Sequence, residues 1–300
     1  MIDNYTISFV ILNYETYWET FNCVKSITET FNSDEYKIKK YIVIVDNGSS
    51  NDSEKILNSK YKDCENIYII ETGKNLGFAR GNNIGFGFAK DKLKSDFILV
   101  VNSDVLFTDK DFATKLIQDY KHTYFDVAGP DVVLPNGNRI NPFLSPDLSI
   151  DSIERQIHDL RRKIVYTKLH VEPIVALLTR IPKYFSDKKI AEDLPDKTFE
   201  LDEKYSLHGC FLIFSKGYID EFNGLYDKTF LYGEEILLKL RCERSGLKMW
   251  FLSDLKAVHN ESQTEKFIGG GVNIRHRRRY NNILNSMYII KDYIENKSDR

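Results

Sequence analysis

The stretch KYIVIVDNGSSNDSEKILNSKY, residues 40–61, contains three structural signals in succession. Its apolar run YIVIV predicts a buried strand. The polar turn DNGSSNDS follows, and its Asn, Ser and Asp side chains can supply the N-cap of a helix. An amphipathic segment comes next and predicts that helix. The stretch therefore predicts a strand, a turn and a helix, which is the repeating unit of an α/β fold.

The same pattern occurs in three more segments of the first half of the chain. They are TISFVIL (6–12) with the helical stretch TFNCVKSITETF (20–31), residues 66–93, and residues 96–120. Four such units predict an open, mainly parallel, Rossmann-like sheet with helices on both faces. Ligands of such sheets bind at the carboxyl ends of the strands. We therefore expect NY (13–14), DNGSS (46–50), TGKNLG (72–77) and NSD (102–104) to lie along one edge.

The second half is less regular and predicts a helical insertion at about 151–204. Residues 151–190 are predicted to be helical and amphipathic, with nine basic and five acidic side chains. The basic ones are Arg155, Arg161, Arg162, Lys163, Lys168, Arg180, Lys183, Lys188 and Lys189. A helix that ends at Gly246 is predicted from GEEILLKLRCERSG. A strand is predicted from KMWFLSDLKAVH, and a C-terminal helix from the basic stretch that begins at residue 273.

Composition and charge exclude several classes of protein. The 300 residues are 42% hydrophobic, and 42 basic against 44 acidic side chains give a net charge of −2. This balance gives no overall attraction to nucleic acid. The four cysteines have no CxxC spacing, which argues against a disulfide framework or a zinc knuckle. With no signal-peptide pattern and no apolar run long enough to cross a bilayer, we expect a cytoplasmic protein, at most peripheral on a membrane.

The glycine-rich segment ETGKNLGFARGNNIGFGFAKD, residues 71–91, raises the question of a phosphate site. A dinucleotide-binding fingerprint would lie directly after the first strand, where this chain has no glycine. The P-loop pattern GxxxxGK[ST] is also missing, so the sequence excludes binding of NAD and ATP in their usual modes. One interpretation is tight packing of a helix on the sheet. The other is a diphosphate site, which Arg80 favours because a guanidinium donates in pairs to phosphate oxygens.

Taken together, these motifs resemble family 2 glycosyltransferases with the GT-A fold, in the rhamnosyltransferase-like branch that builds bacterial surface polysaccharides. The matching segments are FVILNY, VDNGSSNDS, NLGFARGNNIG, LVVNSDV and residues 209–259, in the order of the family. The resemblance spans residues 6–108 and 205–260. It implies a GT-A domain at 1–260, including the insertion, and a C-terminal helical extension at 261–300.

The resemblance implies a nucleotide-sugar site along the expected edge. Asp46 would accept hydrogen bonds from the uracil or thymine ring, although an acid at a strand end can instead cap the following turn. Asn13 and Tyr14 would border the base. The remaining implied donor-site residues are Asn75, Gly77, Arg80, Asn102 and Ser103.

The resemblance also implies a divalent cation. Asp104 matches the last position of the DxD-like signature, whose first position is here the neutral Asn102. His259 matches a histidine that contacts the metal, although a single strand-end histidine is more often structural. A carboxylate with an imidazole favours Mn²⁺ over Mg²⁺.

Glu234 and Glu235 begin the helix predicted from GEEILLKLR. Acids in a first helical turn ordinarily interact with the helix dipole. By resemblance, Glu235 is the general base that deprotonates the acceptor hydroxyl, at a position where the family usually has Asp. Glu234 and Arg278 are secondary candidates.

The implied function is inverting transfer of a hexose, such as rhamnose or galactose, from a UDP- or dTDP-sugar to a glycan acceptor. The acceptor would be lipid-linked, for example to a polyprenyl diphosphate, in capsular, cell-wall or exopolysaccharide synthesis. The alternative is a catalytically degenerate GT-A-like module that binds a nucleotide or a glycan. The basic stretches 151–190 and IRHRRRY (274–280) predict either solvated helical faces or contact with anionic lipid.

Overall fold

A computed structural model of the chain describes residues 3–169, 196–260 and 272–296. Within these ranges the strands are β1 (Asn4–Asn13), β2 (Lys37–Asp46), β3 (Ile67–Glu71), β4 (Phe97–Asn102), β5 (Val105–Phe107), β6 (Val127–Val133), β7 (Phe143–Leu144), β8 (Phe199–Glu200), β9 (Tyr205–Ser206), β10 (Phe211–Phe214) and β11 (Met249–His259). The helices there are α1 (Tyr17–Thr30), α2 (Ser53–Tyr61), α3 (Phe78–Asp91), α4 (Phe112–Thr123), α5 (Ile150–Lys168), α6 (Lys216–Glu221), α7 (Glu234–Ser245) and α8 (Val272–Glu295).

The main sheet of the described residues has the strand order β3-β2-β1-β4-β10-β6-β11-β5, and β8 pairs with β11. Strands β3, β2, β1 and β4 are parallel, as are β6 and β11. Strand β10 is antiparallel to both of its neighbours, and β5 and β8 are antiparallel to β11. The prediction of an open, mainly parallel sheet is confirmed.

Helices cover both faces of this sheet, as predicted, because the side chains of each buried strand alternate between the faces. Along β1, Ile7, Phe9 and Ile11 pack in the core that α1, α2 and α4 cover. Val10 packs in the opposite core, together with α3, α6 and α7. Continuous apolar runs such as the one in β2 are typical of strands that are buried on both sides.

A third apolar cluster joins α5, α7 and α8. It contains Ile153, Ile157 and Leu160 of α5, Ile236 and Leu237 of α7, and Ile283, Met287 and Ile290 of α8. The predicted C-terminal helix is thereby confirmed and lies against the helix that begins with Glu234.

Two features differ from the expectation or extend it. The unit at 96–120 was expected to run from strand through loop to helix, but the short strand β5 directly follows the NSD loop and pairs with β11. In the expected insertion at 151–204, α5 is helical as predicted, residues 170–195 lie outside the described residues, and β8 at 199–200 joins the main sheet. The division into a GT-A domain at 1–260 and a C-terminal extension at 261–300 stays a prediction.

Candidate active site

The predicted edge forms because the first parallel strands end together. Asn13, the last residue of β1, is in register with Asp46, the last residue of β2. Asp46 is in turn opposite Glu71 of β3, and Leu12 is opposite Asn102 of β4. The carboxyl ends of four strands therefore place the polar segments that follow them side by side.

Asp46 is held by a buried hydrogen-bond network. Its Oδ2 accepts from Asn13 Nδ2 at 2.7 Å and from Ser49 Oγ at 2.8 Å, and its Oδ1 accepts from the Ser49 backbone N–H at 2.9 Å. Asn13 is fully buried and also accepts from Thr20 Oγ1 at 2.9 Å. Asp46 thus caps the turn that follows β2, which is one of the two roles expected for it, and Asn13 holds the carboxylate in place. Tyr14 follows at the same edge and is half-buried.

The glycine-rich segment begins α3 and packs closely on its surroundings. Gly77 has φ +86°, and a Cβ there would lie 2.3 Å from the carbonyl oxygen of Phe230. A Cβ at Gly85 would lie 2.5 Å from Val10 Cγ1 in β1. Packing of the helix on the sheet is therefore confirmed for Gly85, whereas Gly77 packs on the loop that contains Phe230. Asn75 caps the turn, because its Oδ1 accepts from the Gly77 N–H at 2.9 Å.

Polar residues of α3 also hold the loop that leads to α7. Asn83 exchanges two hydrogen bonds with the backbone of Leu225, at 2.7 and 2.8 Å, and the exposed Arg80 donates from Nε to the Asp227 carbonyl at 2.8 Å. The N–H of Phe78 donates to Phe230 O at 2.8 Å. The segment NLGFARGNNIG therefore connects the edge formed by the carboxyl ends of β1, β2 and β3 to the loop that precedes Glu234 and Glu235.

Asp104 and His259 meet although they are 155 residues apart in sequence. Strand β5 pairs with β11 so that Val105 lies opposite His259, and the N–H of Asn260 donates to Asp104 O at 2.9 Å. His259 Nε2 lies 3.0 Å from Asp104 Oδ1, and the two residues are 7% and 8% exposed.

The surroundings of this pair are largely buried. Ser103 is buried, with its hydroxyl oxygen 3.2 Å from that of Thr16, and Asn102 is half-buried at the end of β4. Burial, followed by the charge of Asp104, raises the pKa of the Cys23 thiol well above its usual range. The buried thiol of Cys23 in α1 is therefore near enough to Asp104 to interact with its charge.

These residues fit a divalent cation. The 3.0 Å between Asp104 Oδ1 and His259 Nε2 is about the separation of two adjacent ligands in an octahedral shell with bonds of about 2.1 Å. The same 3.0 Å is also the length of a direct hydrogen bond between the two side chains, and the buried His259 Nδ1 finds no acceptor in the described ranges that would hold the proton of a metal-bound imidazole. Those ranges contain no cluster of three or more His, Cys, Asp and Glu suited to a metal. Such a pair suits a cation that takes its other ligands from phosphate oxygens and water.

The two acids at the start of α7 have different surroundings. Glu234 is 5% exposed, and its Oε1 accepts a hydrogen bond from Thr229 Oγ1 at 3.0 Å. Glu235 is half-buried, and its Oε2 lies against Gly209, where an added Cβ would be 4.0 Å away. Glu234 therefore has a structural place inside the fold, whereas the carboxylate of Glu235 lies at the start of β10.

His208, for which the sequence predicted no role, lies near His259 and directly before the glycine that faces Glu235. It precedes Gly209, and its ring centroid is 6.0 Å from that of His259. Its Nδ1 accepts from the Cys210 N–H at 3.1 Å, so the neutral ring carries its proton on Nε2. Asn141 orients the backbone, since its Oδ1 accepts from the His208 N–H at 2.7 Å. An isolated histidine before a strand gave no sequence signal for this position.

Lys239 was also missed, one helical turn after Glu235. It is buried, and its Nζ donates to Ser145 Oγ and to the carbonyls of Asp202, Glu203 and Tyr205 at 2.7–3.0 Å. Burial lowers the pKa of Lys239. The available signal was its position in LLKL, where the helical period places it on the buried side of α7.

A model of the family described as glycosyl transferase family 2 matches residues 10–180, which is more than half of the chain. The chain belongs to glycosyl transferase family 2. The predicted family and enzyme class are thereby confirmed. Among curated proteins, the low-salt glycan biosynthesis hexosyltransferase Agl10 of Haloferax volcanii is 21% identical over 261 residues, which cover 87% of this chain and 68% of that protein.

Solved structures show the fold of this family 2 glycosyltransferase. Residues 1–349 of S. aureus TarS in complex with UDP-GlcNAc give a TM-score of 0.54 at 14% identity, over 89% of this chain and 62% of that chain. GalNAc-T7 with UDP, GalNAc and Mn²⁺ gives 0.57 at 12% identity, over 92% of this chain and 48% of that chain. The chain thus spans less than two thirds of either structure. The GT-A fold prediction is confirmed.

Two predictions concern the surface. Within the described ranges, no helix has the length and apolar composition needed to cross a bilayer. Arg278 lies on α8 and is exposed. The assignment of Arg278 and of the other predicted site residues to ligands stays a prediction, as does the rhamnosyltransferase-like branch.

Proposed function

We propose that this family 2 glycosyltransferase is an inverting, metal-dependent hexosyltransferase. It transfers one hexose, such as rhamnose or galactose, from a UDP- or dTDP-sugar to a hydroxyl of a glycan. The acceptor is a lipid-linked oligosaccharide at the cytoplasmic face of the membrane, in the synthesis of a surface polysaccharide. The proposal is supported by a relative named as a hexosyltransferase of glycan biosynthesis, and by similar folds that bind UDP-GlcNAc, or UDP with Mn²⁺.

The contact between Asp104 and His259 carries this proposal. Two buried side chains from the ends of β4 and β11 approach to 3.0 Å, beside the edge where a nucleotide is expected. Asp104 and His259 would hold Mn²⁺ or Mg²⁺. When bound, the cation supplies positive charge that stabilises the departing nucleoside diphosphate.

The donor would lie along the ends of β1, β2 and β4. Asp46, which Asn13 and Ser49 hold rigidly, still has acceptor capacity for a ring N–H, because a carboxylate has about four lone-pair positions. The Nε of Arg80 donates to Asp227 O, and the other N–H groups of the guanidinium would donate to phosphate oxygens. Asn75, Gly77, Asn102 and Ser103 complete the proposed donor site.

Glu235 would act as the general base. A base must be able to reach the hydroxyl whose proton it accepts, and Glu235 lies in the first turn of α7 with its carboxylate near Gly209. Deprotonation of the acceptor hydroxyl would let its oxygen attack the anomeric carbon from the face opposite the nucleotide. His208 lies near His259 and Gly209 near Glu235, and the sugar would be bound beside these two residues, between the base and the diphosphate.

The test incubates the chain with a panel of nucleotide sugars and Mn²⁺, without acceptor. Chromatography measures the release of free UDP or dTDP. We expect slow hydrolysis of one donor, with Glu235 accepting a proton from water in place of the acceptor hydroxyl, and a loss of roughly 100-fold or more in Asp104→Asn and in Glu235→Gln. Glu243→Gln is the matched control, because Glu243 is an exposed acid on the same helix as Glu235.

Nucleotide binding without any turnover, across the whole panel, would contradict the proposal and favour the degenerate binding module. Equal losses in Glu243→Gln and Glu235→Gln would contradict the role of Glu235. Activity that resists EDTA would contradict the role of the metal.

A further inference from the structure

Basic side chains concentrate at one end of the pair formed by α5 and α8. The acids of α5 lie at positions 151–159, and the acids of α8 lie at positions 292–295. The remaining part of each helix carries only positive charge. We call the following residues the basic end: Arg161, Arg162, Lys163, Lys168, Arg275, Arg277, Arg278 and Arg279.

The two basic segments lie side by side because the helices pack antiparallel. At the acidic end, Lys291 Nζ of α8 pairs with Glu154 of α5 at 2.6 Å. Further along, Arg161 lies over the ring of Tyr288 at 5.6 Å and Lys163 over the ring of Tyr280 at 5.7 Å. The C-terminal half of α5 therefore runs along the N-terminal half of α8.

Apolar side chains are exposed within this basic surface. Val165 is 49% exposed and Leu169 is 63% exposed, and on a helix both share a face with Arg161 and Lys168. On α8, Ile274 is 41% exposed and lies three residues before Arg277. The combination of exposed cations with exposed aliphatic side chains is typical of helices that lie at a membrane interface.

The basic end lies near the N-terminal end of α7, the end at which Glu235 is found. Ser286 Oγ donates to Leu231 O at 3.2 Å, and a Cβ at Gly233 would lie 3.1 Å from Ile290 Cδ1. Residues 275–279 precede Ser286 by seven to eleven positions, or about 10–16 Å along the helix. Arg279 lies over the ring of Tyr232 at 5.7 Å, just before α7 begins. The basic end therefore extends past the N-terminus of α7.

We propose that the basic end is a docking surface for an anionic lipid bilayer. The chain as a whole has a net charge of −2, so attraction to such a bilayer must come from a local surface. Each Lys or Arg near an anionic surface strengthens binding roughly fivefold, and the exposed aliphatic side chains can enter the headgroup region. Bilayer docking would bring a lipid-linked acceptor beside Glu235, a consequence that rests on the proposed function.

The test is cosedimentation of the full chain with two kinds of vesicle. One contains phosphatidylcholine alone, and the other contains in addition about 30% phosphatidylglycerol. We expect binding to the anionic vesicles only, and a decrease as NaCl rises from about 0.05 M to about 0.5 M because salt screens exposed charges. Arg161→Gln/Lys168→Gln/Arg277→Gln should weaken binding by roughly 100-fold.

A matched triple variant removes the same charge elsewhere. Lys25→Gln/Lys55→Gln/Lys216→Gln changes three exposed lysines far from α5 and α8 in sequence, and it should bind as the unmodified chain does. Equal losses in the two triple variants, equal binding to neutral vesicles, or no binding to anionic vesicles at low salt would overturn the proposal.

Donor hydrolysis without vesicles separates this proposal from the proposed function. Both triple variants should release UDP or dTDP at the unmodified rate, because neither set touches the candidate active site. Vesicle binding by a chain that shows no hydrolysis would support the docking surface alone. Hydrolysis without vesicle binding would overturn the docking surface and leave the proposed catalysis intact.

Discussion

Glu234 and Glu235 are adjacent acids in one helical turn, and the structure predicts opposite consequences for their replacement. Glu235→Gln removes proton acceptance with almost no change of shape, so turnover should fall by roughly 100-fold, which corresponds to about 2.7 kcal/mol of transition-state stabilisation. Its free energy of unfolding should fall by less than about 1 kcal/mol, since Glu235 is half-buried and Gln keeps the size and shape of the side chain.

Replacement of Glu234 should affect stability instead. Glu234→Ala leaves the buried Thr229 hydroxyl without its acceptor at 3.0 Å and opens a cavity, which together should lower the free energy of unfolding by roughly 2–3 kcal/mol. Glu234→Gln keeps an acceptor oxygen in place and should keep most of the activity.

The assays are donor hydrolysis rates, nucleotide affinity and urea unfolding, measured on all three variants. Nucleotide affinity should stay near normal in Glu235→Gln, because the base acts on the acceptor. An inactive Glu234→Gln beside an active Glu235→Gln would refute the assignment and place the base one residue earlier.

Three further predictions concern packing, pH and metal preference. Gly85→Ala should lower the free energy of unfolding by roughly 1–3 kcal/mol in urea unfolding, since its Cβ would lie 2.5 Å from Val10 Cγ1. A Cβ at Gly87 would have no atom of the described residues within 4 Å, so Gly87→Ala should raise the free energy of unfolding by about 0.5–1 kcal/mol. Burial, followed by Asp254, raises the pKa of Asp119 from 3.8 to about 6, so its stabilising contribution is present in acid and is lost as pH rises through about 6. Asp119→Asn should therefore be more stable than the unmodified chain by about 1 kcal/mol near pH 8 and not near pH 4, with partial exposure limiting the effect. His259→Ala should reduce the preference for Mn²⁺ over Mg²⁺ in hydrolysis rates, and an unchanged preference would contradict imidazole ligation.

Some positions in the candidate active site depend only on where a strand ends, and these positions were predictable from the sequence. Asp46 and Asp104 each follow an apolar run whose length and period predict a parallel strand, so a common edge followed from the fold class. The meeting of Asp104 with His259 was implied only by resemblance. It depends on the three-residue strand β5, which is too short for any periodic signal.

Features that depend on contacts between distant segments were not predictable. The double hydrogen bond of Asn83 with Leu225 spans 142 residues and explains the polar positions of α3, for which the sequence suggested only packing or phosphate binding. The basic end likewise forms only when α5 and α8 pack antiparallel. For Asp46, the sequence left capping and base recognition open, and its three intramolecular hydrogen bonds confirm capping while base recognition stays a proposal.

Calorimetric titration of UDP and dTDP tests the central claim most directly, namely that Asp104 and His259 form a cation site for a nucleoside diphosphate. It compares the unmodified chain with Asp104→Asn, each with Mn²⁺ and with EDTA. We predict that one of the two nucleotides binds the unmodified chain more tightly with Mn²⁺ than with EDTA. Asp104→Asn should lose most of this Mn²⁺-dependent gain in affinity. Equal affinity with Mn²⁺ and EDTA, or an undiminished Mn²⁺ effect in Asp104→Asn, would contradict the account.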